Sequence, residues 1–197
     1  MRILVIAEDY RRDQYILKPI LAAMLAKLGK PKAKIEFCRQ PAIQGISQAL
    51  NGEMLAKVID QHRGMVDLFL LCVDRDGNPN RRSLLDTLEH HTTDFLQPTQ
   101  QLLAENAWQE LEVWALAGQM DLPAEWQWQA VRQEPHPKET YFYPYLAQRS
   151  DLPLGDIPKL KHLGQEAGRR YDRVRQLCPE DVQHLESRIA AQIKPGS

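Results

Sequence analysis

The acidic residues carry most of the chemistry that can be read from this chain. Val73-Asp74-Arg75-Asp76-Gly77 closes an apolar run with two carboxylates two positions apart. In extended backbone, residues two apart point to the same side. Two carboxylates so placed repel each other unless a proton or a cation joins them. An all-oxygen donor set of this kind suits Mg²⁺ or Mn²⁺. Asp and Gly are also turn formers, so Asp-x-Asp alone reads first as a turn. Glu8 shifts that balance, because it follows another apolar run, Ile3 to Ala7, at a matching strand end. Gln109-Glu110-Leu111-Glu112-Val113-Trp114 adds a third acidic spot. Alone it reads as the acidic start of an amphipathic helix, favoured by the helix dipole. Beside the other two spots, one of its glutamates joins the metal site.

The elements that must position these residues follow from periodicity. Residues 2–7 form a short branched-aliphatic run, the pattern of a buried strand. Asp13 is placed to cap a helix. Ile16, Leu17, Ile20, Leu21, Met24, Leu25 and Leu28 then recur at three- and four-residue steps until Gly29 stops them. Ile35 to Cys38 reads as a second strand. Residues 42–62 read as helical with a break at Asn51-Gly52. Met65 to Val73 is the strongest strand, and a helix carrying Leu84, Leu85, Leu88 and Phe95 follows it.

Alternating strands and helices predict an α/β fold with a mostly parallel central sheet flanked by helices. Such sheets place functional groups past the carboxyl ends of their strands. Glu8 and Asp74 fall there, and their carboxylates are expected within roughly 10 Å, about two inter-strand spacings. No element is assigned to 96–108. Residues 121–158, rich in proline and aromatics, read as an ordered excursion. Residues 160–177 and 179–193 read as terminal helices, with Val182, Leu185, Ile189 and Ile193 on the buried face of the second, and 194–197 are expected to fray. The whole, 1–197, reads as one domain with a core over about 1–118 and a C-terminal helical extension over about 119–197.

Net charge is −1, so no global field draws the chain to a polyanion or a membrane surface. The basic groups Lys27/Lys30/Lys32/Lys34, Arg81/Arg82 and Arg169/Arg170/Arg173/Arg175 read as solvated helix faces. Three cysteines, Cys38, Cys72 and Cys178, lie far apart without a C-x-x-C. That argues against a disulfide framework or a cysteine zinc site. The apolar start is too short for a signal peptide and no run reaches membrane-span length. A cytoplasmic protein without membrane association is expected.

The ordered set of motifs resembles Toprim domains: Glu8 after the first strand, Asp74-x-Asp76 after a later one, then Glu110-Leu111-Glu112-Val113-Trp114-Ala115-Leu116. It is most similar to small stand-alone Toprim proteins near the overcoming-lysogenization-defect nucleases. Pro137-Lys138 and Cys178-Pro179 fit the family's later Pro-Lys and Cys-Pro segments. The family's first strand usually ends in Glu-Gly, whereas here Asp9 follows Glu8. The resemblance implies phosphodiester hydrolysis of DNA or RNA at Mg²⁺ or Mn²⁺. In that scheme Glu8 is general acid/base or a metal ligand, and Asp74 and Asp76 hold metal. Glu112, or Glu110, completes the site or binds a second ion, and Lys138 neutralises charge on the phosphate. A divalent cation there activates water and stabilises the entering and leaving oxygens.

Two other readings stand beside the nuclease. A receiver-like phosphoacceptor switch would also place an acidic pair, Glu8-Asp9, opposite Asp74. A non-catalytic Toprim-like scaffold would use the same fold to bind a partner protein. His90 and His91 read as surface residues, since neighbours on a helix point about 100° apart. Trp126 and Trp128 read as packing. Tyr141, Tyr143 and Tyr145 alternate as in an exposed strand.

Overall fold

The computed structural model describes residues 1–193. It is an α/β fold with a four-stranded, all-parallel sheet of order β2-β1-β3-β4, flanked by helices and closed by a C-terminal helix. This arrangement is consistent with the Toprim-like expectation. The strands are β1 (Arg2–Ala7), β2 (Lys34–Phe37), β3 (Leu68–Asp74) and β4 (Gln101–Ala107). The helices are α1 (Tyr10–Lys27), α2 (Ile46–Ala49), α3 (Gly52–Gln61), α4 (Arg81–Thr92), α5 (Glu112–Ala117), α6 (Trp128–Gln133), α7 (Tyr143–Gln148), α8 (Asp156–Arg169), α9 (Tyr171–Leu177) and α10 (His184–Gln192). Two π-helical turns, Lys138–Phe142 and Pro179–Gln183, lead into α7 and α10.

Strand alternation divides the core between the sheet's two faces. Ile3, Val5, Ala7, Leu68, Leu70 and Cys72 join one apolar cluster with α1, α5, α8, α9 and α10. Leu4, Ile6, Phe69, Leu71 and Val73 join the other with α3 and α4. Helix α8 lies so close to α1 that a Cβ on Gly164 would sit 1.9 Å from the Tyr15 carbonyl oxygen. Only glycine permits that approach. All three cysteines are free and buried. Among the described residues, no helix is long and apolar enough to cross a membrane.

Several expectations need correction. Asp9, not Asp13, caps α1: its side chain accepts from the Arg11 N–H. The break expected at Asn51-Gly52 is present, with Asn51 capping α3 by accepting from Met54 N–H. Strand β4 is not predicted by periodicity; its Glu105 and Asn106 interrupt the apolar pattern, yet both are buried. Tyr141 and Tyr145 lie on the first π-turn and on α7 rather than on a strand, and Trp126 packs edge-on against Tyr141 at 4.9 Å. The helix expected over 160–177 starts earlier and is broken at Arg170. The fraying expected at 194–197 lies outside the described residues.

Candidate metal centre

Register brings the first two acidic spots together. β1 and β3 pair in parallel up to Ala7 beside Cys72, so Glu8 leaves β1 level with Val73, one residue short of Asp74, the last residue of β3. The contact is direct: the Asp74 N–H donates to Glu8 Oε1 at 2.8 Å. The third spot arrives from β4, which pairs with β3 up to Ala107 beside Asp74.

A tight double loop then fixes all three. The N–H groups of Arg75 and Asp76 donate to the Gln109 carbonyl at 2.8 and 3.1 Å. Gly77 N–H donates to Gln109 Oε1 at 2.9 Å, and Leu111 N–H to Asp74 Oδ1 at 2.9 Å. Asp76 and Gln109 face each other across this loop with φ of 51° and 74°, the positive-φ non-glycine residues among those described. Backbone held in this region costs on the order of 1 kcal/mol or more per residue and gathers at functional sites. The strain aims Asp76 and Glu110 at the same space.

Asp74, Asp76 and Glu110 each offer a carboxylate oxygen, and these oxygens lie within 4.8 Å of one another. Mg²⁺ binds oxygen at about 2.1 Å, so opposed ligands stand about 4.2 Å apart. The donors are all oxygen and nearly at that spacing, so they fit a hard divalent cation. Glu112, named first as the completing ligand, is occupied elsewhere: its Oε1 pairs with Lys138 Nζ at 2.6 Å. Glu110 takes the nearer place, and its Oε2 accepts from Lys138 N–H at 2.8 Å. Lys138 thus reaches both glutamates from the π-turn, a helix form common at functional sites.

The electrostatics follow from crowding. Burial pushes the Asp74 carboxyl well above its usual range, and Glu112, Glu8 and Asp13 push it further against the Leu111 N–H. Burial also raises Glu8; the Asp74 N–H opposes this, Asp76 adds to it, and Arg81 and Lys138 pull it down. Glu110 is raised by burial against the Lys138 N–H, with Glu112 adding repulsion. Burial works against the Lys138 ammonium, but Glu112, with Tyr143 and Asp74, more than offsets it and raises the Lys138 pKa.

Two contributors were misread from sequence. Asp13, taken as a cap, faces the cluster from α1. Burial pushes its carboxyl up to about 7 against the Asp9 N–H, with Glu112, Asp9 and Glu8 adding to the rise. Arg81, taken as part of a solvated face, is 6% exposed, and its Nη2 stands 3.5 Å from Asp76 Oδ2. Its place at the first turn of the helix after Asp-x-Asp was the available signal. His90 and His91 are exposed as expected.

No family model, curated protein or solved structure matches this chain.

Proposed function

We propose that this chain hydrolyses phosphodiester bonds in DNA or RNA with Mg²⁺ or Mn²⁺ held by Asp74, Asp76 and Glu110. The observation that carries the reading is the convergence of those carboxylates within 4.8 Å at strand ends, with too few cations beside them to balance the charge. The substrate class in this reading comes from the resemblance to Toprim domains. When bound, the cation supplies a lowered water pKa and neutralises charge on the phosphoryl oxygens.

The chain's own residues do the rest. Glu8 sits against the Asp74 backbone with its pKa raised by burial, which suits a carboxylate that takes and returns a proton. Glu112 holds the Lys138 ammonium at 2.6 Å, beside the cluster, as a fixed positive charge for the phosphate. Asp13 and Glu112 add negative potential behind the ligands, which strengthens the demand for a cation.

The test is incubation with single- and double-stranded DNA and RNA in Mg²⁺ or Mn²⁺. Cleavage should occur, stop with a chelator, and vanish in Asp74→Asn. An Asp74→Asn protein that cleaves like the parent would remove the reading. Covalent labelling of Asp74 by acetyl phosphate would transfer the site to the phosphoacceptor switch. Against that alternative, the Asp9 carboxylate is turned to the Arg11 N–H at the start of α1.

A further inference from the structure

The cations at the cluster are held very differently. Lys138 Nζ is 2.6 Å from its glutamate. Arg81 is as buried as a core residue, at 6% exposure, yet among the described residues its one ion pair is the 3.5 Å approach to Asp76. Its Nε is buried with no acceptor. Arg132 also has an unpartnered Nε, but its Nη atoms bond Asp181 and Glu180 at 2.8–3.0 Å. A guanidinium carries five N–H donors in a planar fork, and leaving them open in a buried place is costly. A second positive feature shares the position. Arg81 opens the 12-residue α4, whose cap residue Asn80 makes no side-chain capping bond. The first N–H groups of a helix left without a cap point outward as an anion site; Arg81's own N–H is taken by the Asn78 carbonyl at 3.2 Å, so those that follow it in the first turn are the ones on offer.

We infer that Arg81, together with the start of α4, is a phosphate seat whose strength is set by metal binding at the neighbouring carboxylates; this rests on the metal site proposed above. Asp76 is the hinge of the arrangement, because it is both a ligand in the oxygen triad and the partner of Arg81. A divalent cation at the triad takes up the Asp76 charge. The guanidinium then loses its attraction to Asp76 and presents its fork to an anion in the same space. The coupling is reciprocal: phosphate on Arg81 withdraws a competing cation from Asp76 and so tightens the metal. Guanidinium geometry matches phosphate oxygens in pairs, which an ammonium cannot do. The ligand class is therefore a phosphate group presenting two free oxygens, as in a phosphodiester or in inorganic phosphate.

The probe is inorganic phosphate, titrated calorimetrically into the full chain with and without Mg²⁺, alongside Mg²⁺ titrations alone. In the parent, Mg²⁺ should tighten phosphate. In Arg81→Gln, phosphate binding in Mg²⁺ should weaken by roughly tenfold or more, the scale of a charge-assisted hydrogen bond. Mg²⁺ itself should bind as tightly as in the parent or tighter, because a competing cation is gone. These opposite signs separate a phosphate seat from a structural arginine, whose loss would weaken both ligands together and overturn the inference. Arg81→Lys keeps the charge and guards against a folding failure. It should bind phosphate several-fold more weakly, while parent-like phosphate binding in Arg81→Lys would overturn the role of the fork. If the parent ignores Mg²⁺, the proposed function falls, and the metal control of the seat falls with it. Phosphate binding in EDTA that disappears in Arg81→Gln would still uphold the seat.

Discussion

Carboxylates crowd this protein in two places, and the two are balanced differently. Around β4, every buried acid has its cation. Glu105, 2% exposed, meets Arg82 Nη1 at 3.0 Å and His184 Nδ1 at 2.7 Å, with Arg188 at 3.6 Å. Glu89 pairs with Arg188 at 2.6 Å. Asp181, 1% exposed, accepts from Trp108 N–H, Trp114 Nε1–H and Arg132 at 2.7–3.0 Å. The network also closes a sheet edge: Ala104 N–H donates to Glu89, and its carbonyl accepts from Arg82 and Arg188. At the ends of β1 and β3, by contrast, Glu8, Asp13, Asp74, Asp76, Glu110 and Glu112 face Arg81 and Lys138. Burying unpaired charge is expensive, and a fold needing those acids only for stability would pair them as β4 does. The first set holds the molecule together. The second carries more acid than its cations balance, and Asp74, Asp76 and Glu110 within it could hold a metal ion.

The comparison breaks first on activity. Glu8→Gln keeps the side-chain shape and can still accept from Asp74 N–H, but it cannot take a proton. Under the proposed reaction, cleavage should fall by roughly 10²–10⁴-fold, the range for loss of a general acid or base. Asp181→Asn should leave cleavage chemistry in place while destabilising the fold. Removing one partner from a buried ion pair costs about 3–5 kcal/mol, because Arg132 is left with only the half-exposed Glu180. Urea unfolding measures this, and a loss below about 1 kcal/mol would mean the β4 network is not structural in the sense argued.

Metal response sharpens the contrast on a smaller scale. Mg²⁺ at a hundred times its Kd should stabilise the parent by about 2.7 kcal/mol by mass action. Asp181→Asn, though less stable, should gain as much from Mg²⁺ as the parent. Asp74→Asn should gain little. Thermal melts with EDTA and with Mg²⁺ check all three, and equal gains in the parent and Asp74→Asn would detach the metal from this cluster.

Much of the cluster was visible in the sequence because it depends on short-range pattern. Two apolar runs define β1 and β3, and strand ends in a parallel sheet place Glu8 beside Asp74 whatever lies between. β4 was not visible, since Glu105 and Asn106 spoil its apolar run. The partners of Glu105, Arg82, His184 and Arg188, lie up to 83 positions away (188 − 105), beyond any local window. The preference for Glu110 over Glu112 as the nearer ligand was hidden for another reason. It depends on the left-handed turn at Gln109, which no glycine or asparagine announces. Arg81 and Asp13 looked like a surface base and a cap because burial of a charged residue is a tertiary event. Both became informative only when the strand ends enclosed them.

The finest test concerns Asp13, which separates the two regions by pH without any ligand. Its carboxyl is raised from the ordinary aspartate range to about 7 in the folded protein. The folded state therefore holds a proton that the unfolded chain has released. Stability falls with rising pH wherever the folded state binds more protons. The favourable contribution is complete below the unfolded aspartate pKa, near 4. It drains away as pH climbs toward and through about 7. Glu8 and Asp74, also raised, push in the same direction. Between about pH 6 and pH 8 the metal-free parent should lose on the order of 1 kcal/mol through Asp13, since one pKa unit is worth about 1.4 kcal/mol. Asp13→Asn can still accept from Asp9 N–H and carries no charge, so its unfolding free energy should be flatter over that window and higher at the alkaline end. Mg²⁺ should flatten the parent's profile as well, because a bound cation favours the ionised cluster. Urea melts of both proteins at several pH values, with EDTA and with Mg²⁺, give the slopes. An Asp13→Asn profile as steep as the parent's would mean that Asp13 titrates as an ordinary helix aspartate, and the unmet charge would then have to reside in the remaining carboxylates.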